Sequence, residues 1–188
     1  LKVMPGVATP DVQFAFAPAS YVEGQLGVLD KFPGMTCGIW QHRPASRGSI
    51  HMASTDPEVQ PTIRPNYLSD RIDQETIVGG LRNAPELFTQ PTLAKFVAVE
   101  TVPGPDVQTD DELLDFARRT GSTVFHPIGT CKMGTDPMAV VDPELRMHGL
   151  KGLRVVDASV MPLMPSANTN AAVLMIAEKA ADMIKAAN

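Results

Sequence analysis

Much that would assign a function directly is missing from this chain. It has no run of about 18 apolar residues, so no segment reads as a membrane-spanning helix, and no signal-peptide pattern is read at its start. Its 16 Lys and Arg stand against 21 Asp and Glu, for a formal net charge of −5. No basic patch is dense enough to suggest nucleic acid. Only two cysteines occur, Cys37 and Cys131, far apart and with no metal-type spacing. Two reduced thiols are expected, with one long-range disulfide as the alternative. The four histidines, His42, His51, His126 and His148, never fall at a ligand spacing such as H-x-x-x-H. No metal site is therefore expected. The G-x-S-x-G turn of many serine hydrolases is absent, as are internal repeats and low-complexity tracts. These absences point to a cytoplasmic protein, with membrane association left open.

What is present is ordinary in bulk and specific in detail. The 188 residues are 44% hydrophobic and 20% charged, within the globular range. Seventeen prolines and 14 glycines, spread throughout, imply many turns and a layered α+β domain. The whole reads as one compact unit.

Val12, Phe14 and Phe16 alternate with Gln13 and Ala15, the period of a half-buried strand. Residues 18–30 read as a loop. Strands are expected over 36–42 and 49–53, joined by the turn RPASRG, so that 36–53 forms a hairpin or meander. The Pro-rich stretch that follows allows only an edge-like strand over Thr62–Arg64. Ser69 or Asp70 can cap a helix carrying Ile77, Leu81, Ala84 and Phe88, which Pro85 should kink or end early. A short helix over 91–96 and a strand over 97–102 follow. Thr109 and Glu112 form a T-x-x-E capping box, predicting a helix over 110–119 with Gly121 as its left-handed stop. LRVV, 153–156, reads as an apolar strand ending at Asp157. A last helix is predicted from about 170 to 185, with Val173, Ile176, Ala177, Ala180 and Ile184 on its apolar face.

Two residues near the end invite chemistry. His126 precedes a Pro and a Gly turn, and Asn168 lies just before the last helix. A histidine can act as a base near neutral pH, since its unperturbed pKa is about 6.5. It can equally serve only as a hydrogen-bonding turn residue. Asn168 is as well suited to capping a helix as to holding a ligand, and Ser166 and Thr169 are alternative caps. Cys131 lies close to His126, but no Asn or Asp orienter for a Cys–His nucleophile is evident. Met133 and the other methionines read as packing.

Three ordered stretches carry a resemblance: HPIGTCKMG at 126–134, VVDPELRMHGLKGLRVVDAS at 140–159 and NTNAAVLMIAEKAADMI at 168–184. Together they resemble the C-terminal part of a glucose–methanol–choline (GMC) oxidoreductase, of the choline dehydrogenase-like, FAD-dependent alcohol dehydrogenase branch. PDVQFAFAP at 10–18, RPASRGSIHM at 43–52 and RPNYLSD at 64–70 extend the likeness over nearly the whole chain.

The resemblance implies a mostly antiparallel sheet with helices packed on one face. Residues 1–120 would be the substrate-binding region, and 121–188 a catalytic segment with a flavin-facing helix. The family's G-x-G-x-x-G turn, which binds the FAD pyrophosphate, does not occur here. The N-terminal FAD domain is therefore expected to be absent from this chain, and the chain alone inactive.

By resemblance, His126 is the catalytic base and Asn168 faces it across a small alcohol. The backbones of Thr169 and Asn170 would lie near the flavin edge that gathers negative charge. Asp157 and Ala158 resemble a contact to the ribityl–phosphate region. Val124 and Phe125 would line the substrate pocket, with Trp40 and Gln41 as weaker candidates. A stand-alone, non-catalytic binding domain of the same fold is the alternative reading.

Overall fold

The computed structural model describes residues 1–187 apart from Gly24 and Leu26. Those two fall in the sequence-predicted loop 18–30, and that part of the expectation lies outside the described residues. The architecture is α+β, as expected, and divides into two compact units. Leu1–Arg47 with Asn66–Val124 form the first; Gly48–Pro65 with Phe125–Asn188 form the second.

In the first unit, β1 (Val12–Ala17) pairs antiparallel with β2 (Thr36–Gln41), Val12 opposite Gln41 and Ala17 opposite Thr36. Helix α1 (Arg71–Thr89) packs on this ribbon. Gly80 allows the approach: a Cβ there would lie 2.7 Å from Ile39 Cγ2 and 3.4 Å from Val12 Cγ1. Asp70 caps α1 by accepting from the Ile72 N–H at 2.8 Å. One turn in, the buried Asp73 accepts from the Ala45 and Ser46 N–H groups at 2.7 and 2.8 Å. Near the far end of α1, Phe88 meets Phe16.

Pro85 does not end α1, which runs on to Thr89. A proline removes one helical hydrogen bond. Packing beyond it, including the Phe88–Phe16 contact, holds the axis together. Helix α2 (Pro91–Ala94) is a single turn. Residues 97–102 are not a strand. A strand needs a ladder partner, and no described segment pairs with them. Phe96, Val99 and Val102 lie exposed instead.

Helix α3 (Asp110–Thr120) carries the predicted capping box. Glu112 N–H donates to Thr109 Oγ1 at 3.2 Å, and Thr109 N–H donates to Glu112 Oε2 at 2.8 Å. Gly121 is not a left-handed stop: its φ is −63°. Glycine is needed there for space, because a Cβ would collide with the Ala117 carbonyl.

In the second unit, β3 (Ser49–His51) pairs antiparallel with β4 (Thr62–Arg64). The predicted 36–53 hairpin therefore does not form, since β2 pairs with β1 and β3 with β4. The intervening turn is held by Asp73 instead of folding back. LRVV is likewise not a strand. Arg154 makes an isolated bridge with Arg146, and the Val155 N–H donates to the Leu145 carbonyl at 3.1 Å.

The core of this unit is Val141, Leu145, Val160, Met161, Ile176 and Ala180. Helix α4 (Asn170–Ala186) contributes Ile176 and Ala180, with Ala172 and Val173 packed beside them. Ala177 and Ile184, placed on the same face by the sequence pattern, are exposed, as are Leu174 and Met175.

No helix among the described residues is long and apolar enough to cross a membrane. The chain exposes 12905 Å², where a folded protein of this length exposes roughly 9000 Å².

Candidate active site

The segment carrying His126 begins with a backbone outlier. Phe125 has φ +59°, the left-handed region that bulky residues avoid. The residue is 68% exposed. His126 follows, half-buried. Because Pro127 comes next, His126 is confined to extended backbone. Ile128 packs on the core. Gly129 then turns the chain with φ +85°.

This turn is tied to a second segment by main-chain hydrogen bonds. The Cys131 N–H donates to the Ser159 carbonyl at 3.0 Å, and the Met133 N–H to the Val160 carbonyl at 2.8 Å. Ser159 and Val160 belong to a single 3-10 turn, Ala158–Val160. Asp157 caps that turn, its Oδ1 accepting from the Ser159 N–H at 2.7 Å. The Lys132 ammonium on the same loop pairs with Asp136 at 2.9 Å. That hydrogen bond holds the exposed Asp136 carboxyl below its ordinary value.

The third segment is the start of α4. Thr169 is the N-cap residue, 8% exposed, and its side chain makes no capping bond. Asn168 and Asn170 flank it and are exposed. The first turn of α4 holds no acidic residue. Its leading N–H groups have no intrahelical partner, so this end keeps its donors and its partial positive charge. Helix α3 differs, with Asp110, Asp111 and Glu112 in its first turn.

The second unit thus gathers on one core the segments bearing His126, Asp157–Ala158 and Thr169–Asn170. Ile128, Ala158 and α4 all pack on it. Asp157 is exposed and Ala158 half-buried. Val124 is exposed and belongs to the first unit, as do Trp40 and Gln41. Cys131 and Cys37 are free thiols. Among the described residues, no group of three or more His, Cys, Asp or Glu could hold a metal ion.

An open depression of about 360 Å³ in the first unit is lined by Asp106, Val107, Asp111, Glu112, Asp115 and Arg119. It contains none of the candidate residues, and its carboxylates would repel an anionic cofactor.

Residues 44–177 match the family model described as GMC oxidoreductase. This chain belongs to the GMC oxidoreductase family. It is 43% identical to the alcohol dehydrogenase [acceptor] of Pseudomonas putida over 184 residues, covering 98% of this chain and 33% of that protein. It is 43% identical to the oxygen-dependent choline dehydrogenase of Cronobacter sakazakii, covering 95% of this chain and 32% of that one. Among solved structures, pyridoxine 4-oxidase from Mesorbium loti superposes with a TM-score of 0.85 at 32% identity, over 93% of this chain and 34% of its own. A formate oxidase of Aspergillus oryzae RIB40, whose structure addresses modification of its FAD, gives a TM-score of 0.86 at 29% identity, over 97% and 32%. The chain spans about a third of the length of the curated relatives it matches.

Two features of this GMC segment are not visible to sequence reasoning. The left-handed backbone of Phe125 has no sequence signal, since Gly or Asn would be expected there. The anchoring carbonyls of Ser159 and Val160 are main-chain groups. Only the D-x-S spacing of Asp157 and Ser159 hinted at a capped turn beneath the His126 loop.

Proposed function

We propose that this chain supplies the substrate-facing half of an FAD-dependent site that oxidises a CH–OH group of a small alcohol to an aldehyde or ketone. The supporting observation is the convergence of three segments, distant in sequence, on the core of the second unit. One bears His126, one Asp157–Ala158, and one the open start of α4.

The residues present fit a flavin. The start of α4 offers main-chain donors with no side-chain cap and no first-turn acid, which suits an electron-rich cofactor edge. Thr169 and Asn170 would hold that edge. Asp157 and Ala158, stiffened by the Asp157–Ser159 hydrogen bond, would hold the ribityl–phosphate region. When bound, a flavin supplies the acceptor for the hydride that leaves the alcohol carbon. The pyrophosphate would be held by a G-x-G-x-x-G-type turn, which this sequence does not contain.

His126 takes the hydroxyl proton. An imidazole does this near neutral pH without needing a strongly shifted pKa. Asn168 donates its amide N–H to the alcohol oxygen and fixes the substrate's orientation. An amide does not compete for the proton, so base and donor roles stay separate. Phe125, exposed beside His126, forms part of the wall that meets the alcohol.

Full-length protein should purify yellow and bleach when an alcohol is added without oxygen. His126→Ala should slow flavin reduction by roughly 10²–10⁴-fold, the usual worth of a general base. Reduction at the parent rate would refute the base assignment. A colourless, inert full-length protein would instead support a non-catalytic binding domain.

A further inference from the structure

We infer that Phe125 acts through its backbone: its left-handed conformation fixes the direction in which the His126 imidazole leaves the chain. This rests on His126 being the base proposed above.

Left-handed backbone is disfavoured for an L-residue, and a bulky side chain adopts it rarely. Phe125 holds φ +59° while the residue is 68% exposed, so its burial offsets little of that strain. An outlier of this kind persists only where its surroundings over-determine it. Here the surroundings are legible downstream. Pro127 has a locked φ and keeps His126 extended. Gly129, at φ +85°, brings the loop against the 158–161 segment, where an added Cβ would sit 3.5 Å from the Met161 carbonyl oxygen. The Cys131 and Met133 N–H groups then bind the Ser159 and Val160 carbonyls.

Phe125 thus sits in the small left-handed basin, His126 is steered away from helical backbone by Pro127, and the loop beyond them is pinned. The backbone of Phe125 sets the direction of the His126 Cα–Cβ bond, and the imidazole samples only the rotamers which that direction allows. Phe125 is therefore a positioning residue, and its backbone matters separately from its ring.

The two roles separate by substitution in the full-length flavoprotein. Asn tolerates the left-handed region but loses the apolar ring. Val keeps apolar bulk, but its branched Cβ disfavours that backbone. If the backbone is decisive, kcat of Phe125→Asn exceeds that of Phe125→Val by about tenfold or more, because small misplacements of a reacting group cost up to about 10² in rate. Phe125→Gly should fall between them, since glycine permits the conformation without enforcing it. The pH profile of kcat/KM should keep its parent midpoint in Phe125→Asn and move in Phe125→Val.

A readout independent of turnover is the rate at which diethyl pyrocarbonate modifies His126, followed by peptide mass spectrometry. His51 and His148 serve as internal references. That rate should change in Phe125→Val and stay near the parent value in Phe125→Asn. If Phe125→Val matches or exceeds Phe125→Asn in kcat, with unchanged His126 modification, the backbone role is refuted. If His126→Ala leaves flavin reduction intact, the base assignment itself is wrong, whatever the ordering of the Phe125 variants.

Discussion

Asp73 is 1% exposed, yet it remains a carboxylate. Burial alone would raise its pKa. Hydrogen bonds from the Ser46 hydroxyl, the Ala45 and Ser46 N–H groups and the Gln41 side chain outweigh that and hold it below the usual 3.8. A carboxyl depressed by folding stabilises the fold above its unfolded pKa. That contribution is lost as pH falls through the folded pKa. Acid unfolding should therefore set in below about pH 4, the unfolded aspartate value. Asp73→Asn should remove part of this acid sensitivity and cost on the order of 1–3 kcal/mol at neutral pH. Urea melts at pH 7 and pH 3.5 check both. Equal acid sensitivity in parent and variant would rule Asp73 out as the source. Nothing local marks this residue, because Asp73 lies in the first turn of α1, where an acid is unremarkable. Its partners come from a turn far away in sequence. His126 is a candidate because it opens the HPIGTCKMG stretch that carries the family resemblance. The geometry of Phe125 has no such marker, because nothing local demands a left-handed phenylalanine.

Local rules that involve one element and its own neighbours were the readable ones. The Thr109–Glu112 box caps α3 as its spacing required, because both partners lie within one turn. Asp70 caps α1 for the same reason. Pairing rules failed where the partner was distant. The alternation over 97–102 met no partner strand among the described residues, and LRVV met a single bridge. Gly80, a poor helix former, lies where α1 packs on β1 and β2. Gly80→Val should accordingly destabilise the protein by about 2–3 kcal/mol, through overpacking and poorer helix propensity combined. A shift in the denaturant midpoint measures it. An unchanged midpoint would mean that α1 can slide away from the ribbon at little cost.

For the whole molecule, the α+β class followed from composition and turn frequency, and the family from three ordered motifs. The division into units did not follow, because residues 48–65 join a unit whose remainder begins at Phe125. Nothing in a linear reading sends a Pro-rich stretch past a helical region to that destination. The close packing of Gly48 on the Arg64 and Pro65 carbonyls holds the two ends of this stretch together. With no glycine-rich phosphate cradle in the sequence, the 188 residues by themselves should not retain FAD. Fluorescence titration of purified chain with FAD should show no saturable binding in the micromolar range and no alcohol-dependent bleaching. Tight, saturable binding would mean that the start of α4 and the 157–158 turn suffice as a cofactor site.

The area left in contact with solvent, 12905 Å², carries a thermodynamic consequence. Unfolding releases less new surface here than in a globule of equal length, because roughly 4000 Å² beyond the normal amount is already wet. The denaturant slope scales with the surface newly exposed, so the transition should be broad and shallow. Any polypeptide that covered this surface and bound only the folded form would change this by mass action. At 100 times its Kd it adds about 2.7 kcal/mol. With such a polypeptide supplied as a separate molecule, the melting point would rise with its concentration.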